Sequence, residues 1–185
     1  MVEKLWRAGI LTLLVGMIAV AAPRAAWSAT AKELQRDGTA ALTSLRGSNE
    51  VAKKLASGAK GILVFPSILK AGFMFGGQIG EGVLMKKGTP TGYYNSVAGS
   101  YGLQAGIQDF GYALFFMDDE SLKDFESSSG FEIGVGPSIV VVDAGVGKTL
   151  TTTTVQKGIY AFIFDQKGLM AGLGIQGSKI TKISK

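Results

Sequence analysis

Residues 58–84, GAKGILVFPSILKAGFMFGGQIGEGVL, constrain the fold more than any other stretch of this chain. The apolar run Ile62-Leu63-Val64-Phe65 stops at Pro66. A second apolar segment carries Lys70, and then come Gly72, Gly76, Gly77, Gly80 and Gly82. Short apolar runs bounded by Pro and Gly read as strands. Glycine at this density inside strands predicts sharp bends, bulges or backbones packed close together. No side chain here has a catalytic character, so the stretch reads as an organising sheet.

The N-terminal segment reads as a leader. Met1–Arg7 holds Lys4 and Arg7, Ala8–Ala22 is an almost unbroken apolar run, and Pro23, Arg24 and AAWSA follow. A charged segment, an apolar segment and a small-residue cleavage region make a secretory signal peptide over residues 1–28. The apolar run falls short of the ~20 residues a spanning helix needs. Cleavage after Ser28 fits the small-x-small rule, cleavage after Ala29 is a near alternative, and an uncleaved anchor is the competing reading. The expected product is exported: periplasmic, envelope-associated or secreted. Its domain covers 29–185, with a helical part at 29–57, a glycine-rich β core at 58–178 and a basic tail at 179–185 that is expected to fray.

The chain has no cysteine and no histidine. No Ser-His-Asp triad, thiol nucleophile or histidine-ligated zinc site can therefore exist. The net charge is +5 over 185 residues and +3 once Lys4, Arg7, Arg24 and Glu3 are set aside with the leader. That excess permits contact with an anionic surface without demanding it.

Leu34, Ala41, Leu42 and Leu45 recur at helical spacing, which predicts a helix over 30–46 that ends at Gly47. Gly38 weakens it by about 1 kcal/mol relative to alanine. A second short helix follows, capped by Ser48 or Asn49, with Val51, Leu55 and Ala56 inside. Helix 30–46 could lie on a membrane, but packing on the domain's own sheet is the plainer expectation. Residues 85–92 read as a basic, turn-rich loop. Tyr101, Leu103, Ala105 and Ile107 then share one strand face. At Asp109 the phase changes to Phe110, Tyr112, Leu114 and Phe116, which predicts a bulge or corner. A short helix capped by Asp118 or Asp119 carries Leu122 and Phe125 inward. Phe131–Val142 and Thr149–Val155 are strand candidates, and Ile159–Phe164 with Leu169–Ile175 reads as a hairpin.

Three clusters invite chemistry. Gly145-Val146-Gly147-Lys148-Thr149 resembles the end of a phosphate-binding loop, but Val142 stands where its first glycine belongs and no helix follows, so no nucleotide is expected. Asp118, Asp119, Glu120 and Asp124 lack the alternating oxygen ligands of a calcium loop; helix capping accounts for them without a metal. Lys53, Lys54, Lys60, Lys70, Lys86 and Lys87 concentrate positive charge in the first half of the domain, with Ile68, Leu69 and Phe73 as apolar neighbours. On one face these lysines would attract phosphate headgroups at about 1 kcal/mol each. Dispersed, they would be an ordinary solvated surface. No aromatic-basic platform for nucleic acid is present.

Three segments together resemble the SYLF domain family. They are Gly61-Ile62-Leu63-Val64-Phe65-Pro66 with Lys70-Ala71-Gly72-Phe73 and the glycines from Gly76 to Gly82; Ser100-Tyr101-Gly102-Leu103-Gln104-Ala105-Gly106; and Lys167-Gly168-Leu169-Met170-Ala171-Gly172-Leu173 with Gly177. Eukaryotic members, which bind phosphoinositides and, in fungi, actin, commonly have tryptophan then proline after the first glycine series. Tyr93-Tyr94-Asn95-Ser96 stands there in this chain and resembles the stand-alone exported bacterial branch.

The expected fold is α+β: a strongly bent antiparallel sheet or barrel-like β-sandwich with two or three short helices. The resemblance implies a non-enzymatic module that binds anionic membrane lipid, without cofactor, metal, nucleotide or nucleic acid. The candidate contacts are Lys53, Lys54, Lys60, Lys70, Phe73, Lys86 and Lys87. The alternative is a protein-interaction module with actin or an envelope protein as partner.

Overall fold

In the computed structural model, which describes residues 28–133, 139–142, 158–168 and 177–185, the glycine-rich stretch is one arm of a long antiparallel hairpin. Strand β1 (Gly61–Lys86) pairs with β2 (Thr89–Phe116) from Gly61↔Phe116 to Lys86↔Thr89. The turn is narrower than the expected loop. Lys87 (φ 50°) and Gly88 (φ 78°) both take left-handed backbone, the geometry of a two-residue turn that matches strand twist.

The hairpin doubles over on itself. A Cβ placed on Gly72 would lie 2.6 Å from the Cα of Gly76, and one on Gly80 would lie 2.7 Å from the Ser67 carbonyl oxygen. The two halves of β1 meet with no room for side chains between them at these points, which is what the glycines are for. Register shifts at Phe65/Ile68, Phe73/Phe75 and Leu84/Met85 let the strand bend.

Along its other edge β2 carries β6 (Lys179–Ile183) beside Tyr93–Val97 and β5 (Ile159–Gly168) beside Gln108–Phe116. Short strands extend both flanks: β3 (Phe131–Glu132) pairs with β6, and β4 (Ile139–Val141) runs parallel to β5. Among the described residues the sheet is thus antiparallel except at β4. The 179–185 tail does not fray: Ile180 is buried and β6 is paired on both sides. The lysines around Ile180 and Ile183 hid a strand inside a basic segment. Asp165 (φ 51°) and Gly168 (φ 104°) bend β5, which continues through the expected turn. Residues 169–175, residues 134–138 between the two short strands, 149–155 and the 145–149 motif lie outside the described residues.

Two apolar cores follow from the doubling. The inner one, between the folded halves, contains Leu63, Phe65, Ile68, Tyr94, Phe110, Tyr112, Leu114 and Phe116. Helix α3 (Asp119–Ser127) plugs it with Leu122 and Phe125, as expected, and Asp118 caps the helix by accepting from Ser121 N–H at 2.7 Å. The outer core lies on the sheet's other face, under α1 (Ala31–Ser48) and α2 (Glu50–Gly58). Helix α1 packs on the sheet through Leu34 and Leu45. Thr30 and Glu33 form a reciprocal capping box at its start. Gly38 sits where a Cβ would strike Val83 Cγ1 at 2.4 Å, so its helix-propensity cost permits close approach of α1 to β1. The helix also passes the expected stop at Gly47. Asn49 ends α1 and caps α2, accepting from Val51 and Ala52 N–H. In α2, Ala52 and Leu55 are the fully buried pair, with Val51 and Ala56 beside them.

Two inner-core tyrosines are unusual. The hydroxyls of Tyr94 and Tyr112 are buried without a hydrogen-bond partner. Burial, with a smaller contribution from Glu126, pushes Tyr94 up to about 12, and burial raises Tyr112 well above the ordinary phenol value. A buried hydroxyl with no partner costs about 1–3 kcal/mol of desolvation. Tyr112→Phe is therefore expected to leave stability unchanged or raise it by up to ~1 kcal/mol, read as the urea midpoint. A loss above ~1 kcal/mol would show that the hydroxyl is bonded in solution.

Candidate functional site

The six lysines singled out in the sequence do not form one patch. Lys53 on α2 lies 3.5 Å from Glu50, and Lys60, just before β1, lies 3.4 Å from Asp119 of α3. Lys86 donates to Glu126 of α3 at 2.7 Å. Lys54 is exposed on α2 and Lys87 sits in the hairpin turn. Lys70 is buried, with 6% exposure. The acids of α3 thus draw Lys60 and Lys86 to the plug helix. Phe73 belongs to β1, and its side chain lies outside the described residues; Ile68 points into the inner core and Leu69 outward.

Lys70 belongs to a polar layer at the bent end of the inner core. Lys70↔Gln108 are cross-strand partners, and Gln78, Ser96 and Ser178 are also buried. Gln78 Nε2 donates to Ser178 Oγ at 2.6 Å. The layer ties β1 to the segment just before β6, because a buried amide without a partner is costly.

The opposite face of the same bend is apolar and open. Leu69, Phe75, Ile79, Val97 and Ile107 are 45–70% exposed. Their register explains the grouping: Ile79↔Val97, Ala71↔Ile107 and Leu69↔Asp109 are direct partners, and Phe75 lies four residues before Ile79 with no shift between them, so they share one side of the sheet. Neighbouring strands add lysines in the same rows, since Val97↔Lys179 and Asp109↔Lys167 are also partners. Asp109 itself accepts from Ser67 Oγ at 2.6 Å. The result is an apolar stripe with a lysine at each end. Sequence reasoning missed it. Pairing between β1 and β2 is regular from Ile68 to Phe73, and the expected bulge lies just past the phase change: Pro66 and Ser67 of β1 face the single residue Gly111, between the pairs Phe65↔Tyr112 and Ile68↔Phe110. The ladder with β5 is shifted at the same place, between Asp109 and Gly111. The extra residue lies on β1, so β2 keeps its own alternation while its apolar set moves from the outer face, with Ile107, to the inner face, with Phe110. That switch was the available signal.

A third feature is an open cleft of about 500 Å³ between the start of α1 and the doubled β1, lined by Ala29, Leu34, Asp37, Pro66, Ile79 and Glu81 among others. Glu81 is its polar anchor, bonded to Ala29 N–H, Ser28 Oγ and Lys185 Nζ. Burial pushes the Glu81 carboxyl up. Hydrogen bonds from Lys185 and Ser28, the Lys185 charge and the Ala29 N–H outweigh that and hold it below the ordinary carboxylate value of 4.5.

Among the described residues no cluster of carboxylates could hold a metal, and no helix is long and apolar enough to cross a membrane. The acids read as a candidate cluster are engaged locally. Asp118 accepts from Ser121 and Gly158, and Asp119 meets Lys60.

Comparison with known proteins adds the family. Residues 97–185 match the Ysc84 family, described as Las17-binding protein actin regulator. Protein YSC84 of Saccharomyces cerevisiae is 28% identical over 130 residues, which cover 66% of this chain and 27% of the yeast protein. LAS seventeen-binding protein 3 of Saccharomyces cerevisiae is 30% identical over 130 residues, covering 66% and 28%. The chain therefore spans little more than a quarter of the length of these relatives. Together with the glycine-rich segments of the sequence, this matching supports the SYLF, or Ysc84, family for the chain.

Proposed function

We propose that this chain is a non-enzymatic binding module that docks on anionic phospholipid through the outer face of its bent hairpin, at an envelope surface after export. The observation that carries the reading is the exposed stripe of Leu69, Phe75, Ile79, Val97 and Ile107 with Lys167 and Lys179 in register at its ends. Exposed apolar stripes mark interaction surfaces, and a lysine at each end suits a negatively charged interface. Sinking an exposed Phe or Ile into the acyl boundary removes apolar area from water at about 25 cal/mol per Å². The lysines add about 1 kcal/mol each near an anionic surface.

Vesicle flotation tests this. The protein is expected to float with phosphatidylglycerol-containing vesicles and to stay behind with pure phosphatidylcholine. The double variant Phe75→Ser/Ile107→Ser is expected to bind at least about tenfold more weakly, a loss of 1.4 kcal/mol or more. Equal recovery with both vesicle types at low salt would reject the reading.

The alternative is a protein partner. It draws on the yeast relative's name, LAS seventeen-binding protein 3, and on the family's description as an actin regulator. The family match also contains Val97, Ile107, Lys167 and Lys179 of the stripe. Co-sedimentation with actin filaments that the same double variant abolishes, without vesicle binding by the parent chain, would favour it.

A further inference from the structure

The charged knot where α1 enters the fold has no part in the binding stripe. Glu81 receives the Ala29 main-chain N–H on Oε2 at 3.0 Å and the Ser28 hydroxyl on Oε1 at 3.0 Å. Lys185 lays its ammonium across both oxygens at 2.8 Å and also donates to Ser28 Oγ. The entry to α1, the second half of β1 and Lys185, two residues past β6, thus meet on one carboxylate. The capping box aims Ala29 at it: Thr30 N–H and Thr30 Oγ1 both donate to Glu33 Oε2, at 2.9 and 2.7 Å. With Thr30 held by the helix, the Ala29 nitrogen next to it is fixed in place.

We propose that Glu81 is the receptor for a new N-terminus, the α-ammonium group of Ala29 released when the leader is cut after Ser28. The proposal rests on the reading of residues 1–28 as a cleaved leader. Hydrolysis of the Ser28–Ala29 bond consumes one water. Ser28 leaves with the leader as a carboxylate, and Ala29 keeps a protonated amine. A neutral amide donor thereby becomes a cation at the same position, 3.0 Å from Glu81 Oε2. Charge-assisted hydrogen bonds are roughly twice as strong as neutral ones. The other charged groups facing this point are Lys185 from the end of β6 and, on α1, Glu33 and Asp37; Asp37 is paired with Arg36. Processing would thus exchange the Ser28 hydroxyl's bonds to Glu81 and Lys185 for an ionic clasp between the new first residue of α1's entry and β1. Cleavage one residue later would put the ammonium on Thr30, beside Glu33 instead of Glu81.

The clasp has a defined pH window. Pairing raises the amine's pKa in the folded state, so its contribution is complete below the unfolded value of about 7.7–8.0 and is lost as pH rises through the folded one. Glu81 is depressed, so its contribution is complete above 4.5 and is lost as pH falls through its lowered value.

The test begins with the full chain exported from a bacterial host and its intact mass. A first residue of Ala29 is expected. The chain starting at Ala29 is then compared, free and Nα-acetylated, with and without Glu81→Gln, by urea unfolding. Glu81→Gln is expected to lower the folding equilibrium constant about tenfold more in the free-amine chain than in the acetylated one, the equivalent of one pKa unit of pairing. An equal effect in both overturns the clasp. A first residue of Thr30 overturns the clasp and leaves the leader reading standing; a retained leader overturns both. Should Glu81→Gln fail to fold, NMR titration of the Ala29 amine in the unaltered mature chain decides. A value displaced upward is expected, and an ordinary one overturns the proposal.

Discussion

Gly82→Ala is expected to destabilise the domain by about 3 kcal/mol or more, the upper end of overpacking costs. The added Cβ would lie 2.6 Å from the Phe65 ring and 2.8 Å from the Val64 carbonyl oxygen. Neither can yield. Phe65 is fully buried and stacks on Tyr112, and Val64 is locked in the ladder opposite Ala113. Gly80→Ala meets the same obstacle, main-chain atoms of Ser67 and Ile68 across the fold of β1. Gly47→Ala is the control. Nothing lies within 4 Å of its Cβ, and alanine in a helix is favoured over glycine by about 1 kcal/mol. Chemical unfolding of the three variants measures the contrast. A Gly82→Ala chain within ~0.5 kcal/mol of the parent would mean that the two halves of β1 do not pack as described.

Phe125→Ala is the second large effect, with an expected loss of about 3–5 kcal/mol. Helix α3 contributes little to the inner core apart from Leu122 and Phe125, yet Phe125 is its hub. Its ring centroid lies 4.8 Å from Tyr94, 4.9 Å from Phe116 and 5.3 Å from Phe131. Alanine would leave a cavity walled by aromatic groups that are anchored in β2 and β3 and cannot collapse inward. Since domains of this size have only about 5–15 kcal/mol of stability, such a variant is expected to be marginal at 37 °C. Phe125→Leu, which keeps most of the volume, is expected to lose much less. Thermal melts of both variants check this. A Phe125→Ala melting temperature near that of the parent would show that α3 does not seal the doubled hairpin.

Much of this architecture could be read locally. Thr30, Asn49 and Asp118 have the chemistry of helix caps, and caps depend on residues three positions away. The continuous apolar run at 62–65 belongs to a strand buried on both faces, under α1 on one side and against the inner core on the other. The glycine series marked the bend. The lysines were different. Their spacing carried no information about α3, whose Asp119 and Glu126 draw Lys60 and Lys86 aside, nor about the folding of β1, which buries Lys70. A charge's surroundings are set by residues distant in sequence, so a count of lysines along the chain could not predict a surface.

The sequence by itself therefore determined the elements: three capped helices, glycine-bent strands, and a family signature carried by those glycines. Each is a matter of backbone preference and short-range bonding. Only the tertiary structure decided which face of the bend meets water. The apolar set on β2 changes sides at Asp109, beside the shifts that both neighbouring ladders take at Gly111. The same alternation that buries Phe110 then leaves Ile107, Leu69 and Phe75 outside. Alternation within a strand tells which side chains share a face. What covers that face depends on where the doubled hairpin, the helices and Lys185 come to rest.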